Sequence, residues 1–206
     1  MTQQATEVRD DIARLVAQAA PGTVIVLPWG TPFDGHGALA RLTVRGYGAH
    51  RRAEGPFTGP VALPPSPFPA QPRNVVAEGD VSMTAVTEAE FCDRSPLSFA
   101  LGIRLPYCRQ EVAYKRRGAR PVWLHGLDGT AQGGHSWACV MFRDDTAEAL
   151  VWQGGPRRLW DEAEEAYAWW VRQGEPRHDR FGLTITRTGH SVWLDSPGNV
   201  VGPLVR

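Results

Sequence analysis

The sequence predicts an α+β fold, in which a short strand/helix unit is followed by a β-rich domain with one long amphipathic helix. Short apolar or alternating stretches, separated by Gly and Pro, recur along the chain as they do in proteins built mainly of strands. The segment at about 156–173 shows the clearest helical spacing of apolar residues in the chain. A proline-dense stretch at 63–73 cannot form regular helix or a central strand. We therefore expect units at 1–62 and 74–206, with 63–73 as a linker or as a strap along the surface.

Composition excludes several classes of partner. The 206 residues carry 22 basic and 22 acidic side chains, so no net field attracts nucleic acid or an anionic membrane. The three cysteines are too few and too scattered for a disulfide framework, which favours a reducing compartment. No stretch approaches the roughly 20 apolar residues of a membrane helix, and no signal peptide is visible. The expected location is the cytoplasm.

In the first unit, a helix-like stretch at 6–19 leads through Pro21-Gly22 into an apolar strand at 23–28. Both faces of that strand are apolar, which predicts a strand covered on both sides. An alternating strand follows at 38–45, and 55–63 adds a third candidate.

The second unit offers strand candidates at 97–105, 121–126, 136–142 and 150–152. Gly155-Pro156 opens its helix, since proline is tolerated in the first turn, and Gly174 and Pro176 end it. Trp160 and Trp170 lie on the apolar stripe of this helix and are expected in the core. Strands at 181–186 and 191–194 flank a four-residue turn, as in a hairpin.

Two groups of segments resemble protein-L-isoaspartate O-methyltransferase-like enzymes. The stretches 21–31 (PGTVIVLPWGT) and 38–44 (ALARLTV) resemble the last strands of the catalytic domain. The stretches 100–108 (ALGIRLPYC), 155–162 (GPRRLWDE), 166–170 (AYAWW), 179–186 (DRFGLTIT) and 192–197 (VWLDSP) resemble the C-terminal domain of an actinobacterial branch. Members of that branch accompany ribosomally made modified peptides and methylate aspartate carboxylates with S-adenosylmethionine.

The resemblance implies a truncated methyltransferase-like unit at 1–62, because no glycine-rich strand-to-helix turn for the cofactor precedes it. The pattern G-x-G-x-x-A at 35–40 precedes a strand and does not open a helix, so loop glycines are expected there. We expect no cofactor site and no metal site. An incomplete unit exposes a sheet edge, which predicts a homodimer or a complex with a separate chain.

Three functions remain open from the sequence. The first is an accessory or binding protein, for a peptide or small molecule, in natural-product or modified-peptide biosynthesis. The second is a repurposed cofactor-independent enzyme, of cyclase or hydrolase type. The third is one half of a split O-methyltransferase.

The candidate catalytic residues are His135, Asp128 and Cys108. His135 follows a Gly-Gly pair at the start of a strand, where a histidine can act as a general base near neutral pH. Cys108 ends an apolar stretch at a point where a thiol could be exposed, whereas Cys139 lies within an apolar strand and is expected to be buried and inert. A surface loop remains the competing interpretation of His135.

The candidate ligand-binding residues are Trp29, His36 and Trp169. Trp29 and His36 flank a loop at the end of a strand, where α/β folds commonly bind ligands. Trp169 lies off the apolar stripe of the long helix. Hydrophobic packing is the alternative role for each tryptophan. His178 and His190 fall in predicted turns and are expected to face solvent.

Overall fold

The computed structural model describes residues 12–63, 78–92, 95–127 and 135–202. These residues are mostly β, with two five-stranded antiparallel sheets and four helices, so the mixed α+β content is confirmed. The chain divides into two compact units. The first contains the described residues of 1–30, 36–67 and 176–206, and the second contains those of 31–35 and 68–175.

In the first unit, residues 12–18 form helix α1. Its sheet has the order β1-β2-β3-β9-β10. The strands are β1 (Val24–Gly30), β2 (His36–Arg45), β3 (Arg52–Ala62), β9 (Phe181–Thr186) and β10 (Gly189–Leu194). One face forms the core, with Leu42, Phe57 and Leu183 almost completely buried.

Strand β1 is an edge strand, and the expectation that both of its faces are covered was wrong. Ile25 and Leu27 are buried, whereas Val24 and Val26 on the opposite face are 45% and 55% exposed. An edge strand of an antiparallel sheet can present one face to water, and valine is tolerated there because β-branched side chains suit a strand.

The second unit has a sheet of order β4-β8-β7-β6-β5. Its strands are β4 (Asp80–Thr84), β5 (Cys108–Val112), β6 (Ala119–Gly126), β7 (Trp137–Arg143) and β8 (Ala149–Gly154). Its helices are α2 (Glu88–Cys92), α3 (Ser95–Arg104) and α4 (Leu159–Arg172). Within the described ranges, no helix is long and apolar enough to cross a membrane.

Helix α4 packs on one face of this sheet, and its position corresponds to the helix expected at about 156–173. The side chain of Gln153 on β8 accepts the N–H of Trp160 (3.0 Å) and donates to Asp161 (2.5 Å). Trp160 and Trp170 are 1% and 2% exposed, which confirms both as core residues. These contacts leave the opposite face of the sheet free of α4.

The segment 97–105, expected as a strand, lies in helix α3 and its end, so that prediction was wrong. A short apolar run does not distinguish a buried strand from a buried helix by periodicity. Ser95-Pro96 carried the missing signal, because proline is favoured in the first helical turn. Gly102 is required on this helix, since a Cβ there would lie 2.2 Å from Oγ1 of Thr31.

The division of the chain differs from the expected split into 1–62 and 74–206. The predicted hairpin at 181–194 forms as β9 and β10, but it joins the first sheet through pairing of β3 with β9. A hairpin signal is local, whereas the sheet that accepts the hairpin depends on pairing between distant segments. The predicted linker, 63–73, lies outside the described residues apart from Leu63.

Candidate functional site

Two of the three predicted catalytic residues lie within the described residues, and they differ in exposure. Cys108 is the first residue of β5 and is completely buried. His135 is exposed just before β7. It lies at the same end of the sheet as Cys108, because Cys108 pairs with Gly126 and the N–H of Gly126 donates to the carbonyl oxygen of Ser136 (2.8 Å). Asp128 lies outside the described residues. A buried thiol cannot reach a substrate unless the residues around it move.

Trp29 and His36 belong to the first unit. The ring of Trp29 packs against Phe57 at 5.4 Å and meets His190 edge-on at 6.0 Å. Trp29 is on β1 and His190 on β10, the two edges of the sheet, so the sheet curls until its edges approach. His36 is exposed at the start of β2. Trp29 thus makes packing contacts within this unit, and its role in ligand binding stays a prediction.

His178 was expected to face solvent, and that expectation was wrong. It lies in a short 3₁₀ helix, His178–Arg180, and is only 6% exposed. Burial lowers the pKa of His178, and the positive charge of Arg177 lowers it further. The imidazole is therefore kept neutral inside the first unit at neutral pH.

Trp169 belongs to the second unit, where it is half-buried on α4. The guanidinium carbon of Arg104 on α3 lies 5.0 Å from the centre of its ring. This cation–π contact occupies one face of the indole and ties α3 to α4. The contact accounts for Trp169 as a packing residue.

A different set of aromatic residues shares the face of the second sheet that is opposite α4. The strand register places Trp123 on β6 beside Cys139 on β7, and Cys139 beside Trp152 on β8. Trp137 lies two residues before Cys139 on β7 and therefore points to the same side of the sheet. The ring centres of Trp137 and Trp152 are 5.0 Å apart, and those of Trp123 and Trp137 are 6.4 Å apart.

Apolar side chains extend this surface toward β4. Val81 pairs with Trp152, and Met83 pairs with Leu150, so all four lie on the same side of the sheet. Val81, Met83 and Leu150 are 65%, 54% and 46% exposed. We call this surface the tryptophan face and define it by Val81, Met83, Trp123, Trp137, Cys139, Met141, Leu150 and Trp152. Val81, Met83 and Leu150 are the exposed part of this surface, whereas Trp137 and Cys139 are buried. Exposed apolar surface is a feature that interaction sites share.

Two glycines make room for the indoles of the tryptophan face. Gly154 pairs with Trp137, and a Cβ at Gly154 would lie 3.1 Å from the Trp137 ring. At Gly79, a Cβ would lie 2.8 Å from Nε1 of Trp152. Any other residue at Gly79 would force Trp152 to move.

The one titratable side chain of the tryptophan face, as defined above, is the thiol of Cys139. Burial raises the pKa of the Cys139 thiol to about 11, so it stays protonated and unreactive at neutral pH, in agreement with the sequence interpretation. His125 is 4% exposed and stacks in parallel on Trp123, with ring centres 6.0 Å apart. Among the described residues, no three His, Cys, Asp or Glu side chains are placed to hold a metal ion.

The second unit also has a cavity of about 330 Å³ beside α2 and the β7–β8 turn. Lys115, the only lysine of the chain, lines it and lies 2.6 Å from Asp144 and 2.9 Å from Glu88. The hydrogen bond to Asp144, followed by that to Glu88, raises the pKa of Lys115. This lysine is therefore a fixed cation rather than a nucleophile.

The tryptophan face was not predicted from the sequence. Each of its tryptophans was visible in a strand segment, but the face depends on which strands pair and in which register. A shift of one residue would have moved any of them to the helix side. The local signal was the presence of glycine at positions 79 and 154, within or beside strands, which often marks close approach of another group.

Comparison with protein-family models, with curated proteins and with solved structures finds no match to this sequence.

Proposed function

We propose that this chain is a methyltransferase-like accessory or binding protein that holds a peptide substrate against the tryptophan face in modified-peptide biosynthesis. The observation that carries the proposal is the alignment of three tryptophans with exposed Val81, Met83 and Leu150 on one face of the second sheet. Aromatic side chains on a rigid sheet offer a large apolar contact area with little loss of side-chain entropy on binding.

The dimensions of the tryptophan face suit a short extended peptide. One row, from Trp123 through Cys139 and Trp152 to Val81, crosses four adjacent strands. At a spacing of ~4.8 Å per strand the row is about 14 Å long, which matches about four extended residues. Glu111 on β5 continues the row beyond Trp123. This carboxylate suits a peptide with apolar side chains and a basic residue at one end.

The resemblance to isoaspartate methyltransferase-like proteins supports the biosynthetic setting. Its segments at 21–31 and 38–44 form most of the β1–β2 hairpin. We propose that this hairpin descends from the last strands of a methyltransferase sheet. The glycine pattern at 35–40 runs into β2 and opens no helix, which supports a role for these residues other than holding a dinucleotide-type cofactor.

The test is a binding titration with a synthetic peptide of alternating phenylalanine and glycine that ends in arginine. The comparison peptide has serine in place of phenylalanine. We expect binding of the first peptide only, and Trp152→Ala to weaken it about 5- to 30-fold, because a buried aromatic contact contributes about 1–2 kcal/mol. Trp169→Ala is the matched control, since it removes a tryptophan of the same unit that lies on α4.

Equal affinity of the peptide for Trp152→Ala and for the unchanged protein would contradict the role of the tryptophan face.

Calorimetric titration with S-adenosylmethionine tests the assignment of this chain as an accessory protein. Saturable binding in the micromolar range would show that this chain holds the methyl donor and would overturn the accessory assignment.

A further inference from the structure

Strand β4 is an edge of the second sheet that no other described strand covers. The opposite edge is different, because the N–H of Gln110 on β5 donates to the carbonyl oxygen of Phe33 (2.5 Å). The segment 31–35, which belongs to this unit, therefore engages β5. An edge strand presents a row of backbone N–H and C=O groups that favour pairing with another strand.

The residues of β4 lack the features that normally prevent an edge strand from pairing with another chain. The pairing with β8 runs without a bulge through all five residues of β4. The strand contains no lysine and no proline, and its one charge, Asp80, pairs with Arg158. Val81 and Met83 are exposed on the tryptophan face. Protected edges instead carry charges, prolines or bulges.

We propose that β4 pairs antiparallel with β4 of a second copy of this chain, joining the two sheets into one of ten strands. A twofold interface requires a segment that is complementary to itself. Centred on Ser82, antiparallel pairing places Val81 opposite Met83 and Asp80 opposite Thr84. No two like charges face each other in this register, and both apolar pairs lie on one side.

The same register continues beyond the strand without conflict. Gly79 would face Ala85, and Glu78 would face Val86, so the acidic residues near β4 stay apart from one another. The pairing also buries exposed apolar surface of Val81 and Met83 and makes the tryptophan faces of the two copies continuous. It does not depend on which ligand the tryptophan face binds.

The experiment measures the mass of the full chain by light scattering after size exclusion at about 100 µM. One chain has a mass of 22.6 kDa, and we expect the unchanged protein at twice that value. The double variant Val81→Lys/Met83→Lys places lysine opposite lysine. We expect it to be folded by circular dichroism and monomeric by light scattering. Like-charge repulsion and lost apolar burial should raise the dimer dissociation constant at least about 100-fold.

Two further variants distinguish loss of the β4–β4 interface from misfolding of the chain. Val81→Glu/Met83→Glu is expected to be monomeric alone and to form a mixed dimer with the lysine variant, because opposite charges then face each other. Leu150→Lys introduces a charge on the same face, one strand inside the edge, and is expected to stay dimeric. A monomeric unchanged protein, a dimeric lysine variant or the lack of a mixed dimer would overturn the inference. Failure of peptide binding would leave these masses unaffected, so the two proposals fail separately.

Discussion

Gly182 on β9 lies directly against the indole of Trp193 on β10, and the substitution Gly182→Ala tests this contact. The two residues are paired in the sheet register. A Cβ at Gly182 would lie 2.1 Å from both Cη2 and Cζ2 of Trp193. Carbon atoms at rest approach to about 3.6 Å, so the indole would have to move by about 1.5 Å.

The cost has two parts. Forcing a methyl group into a packed contact costs about 1–3 kcal/mol. The displaced indole would also lose the hydrogen bond that Nε1 of Trp193 donates to Oγ1 of Thr184 (3.2 Å). Because Trp193 is only 7% exposed, its N–H would be left buried without that acceptor. A buried donor without its acceptor costs about 1 kcal/mol more. We therefore expect the free energy of unfolding of the first unit to fall by about 2–4 kcal/mol.

The assay is urea denaturation followed by far-ultraviolet circular dichroism, together with amide exchange in β9 and β10. The matched control is Gly59→Ala on β3 of the same sheet, where no atom lies within 4 Å of the new Cβ. We expect that control to change stability by less than about 0.5 kcal/mol. Equal stabilities of the two variants would refute the reasoning, because the short contact at Gly182 would then have no energetic consequence.

Three further predictions concern titration and capping. Cys139, with its pKa raised to about 11, should react with iodoacetamide at pH 8.5 about 100-fold more slowly than half-buried Cys92, as measured by mass spectrometry. Its neutral thiol stabilises the fold below about pH 9, and this contribution is lost as the pH rises through about 11. Because burial lowers the pKa of His178, the unfolded chain takes up the proton first. The free energy of unfolding should fall as the pH drops below about 6.5, with a smaller slope in His178→Gln; an unchanged slope would contradict this. Thr87→Ala should cost about 1 kcal/mol of local stability in α2, seen by amide exchange, since the Thr87 hydroxyl accepts the N–H of the third residue of that helix (3.3 Å).

Helix α4 illustrates what local pattern predicts well. Its apolar spacing, the proline before it and the glycine after it each act within one or two turns, and the helix lies where they indicate. Helix α3 illustrates the limit, since its short apolar run fits either element type until the packing of Gly102 against Thr31 is known. The candidate site was less predictable still. Cys108 and Trp29 suit a site by residue type and position, but Cys108 is completely buried and the ring of Trp29 packs against Phe57.

What the sequence alone determined is the set of local elements: the amphipathic α4, the turn between β9 and β10, and the alternating strand β2. What only the tertiary structure decided is which sheet each strand joins and which face each tryptophan shares. The β9–β10 hairpin pairs with β3, more than a hundred residues earlier, and the indoles of Trp123, Trp137 and Trp152 meet only through the register of three strands. The physical reason is that helix and turn signals arise from neighbours a few residues apart, whereas strand pairing is a choice among distant partners that is settled by the burial of the whole sheet.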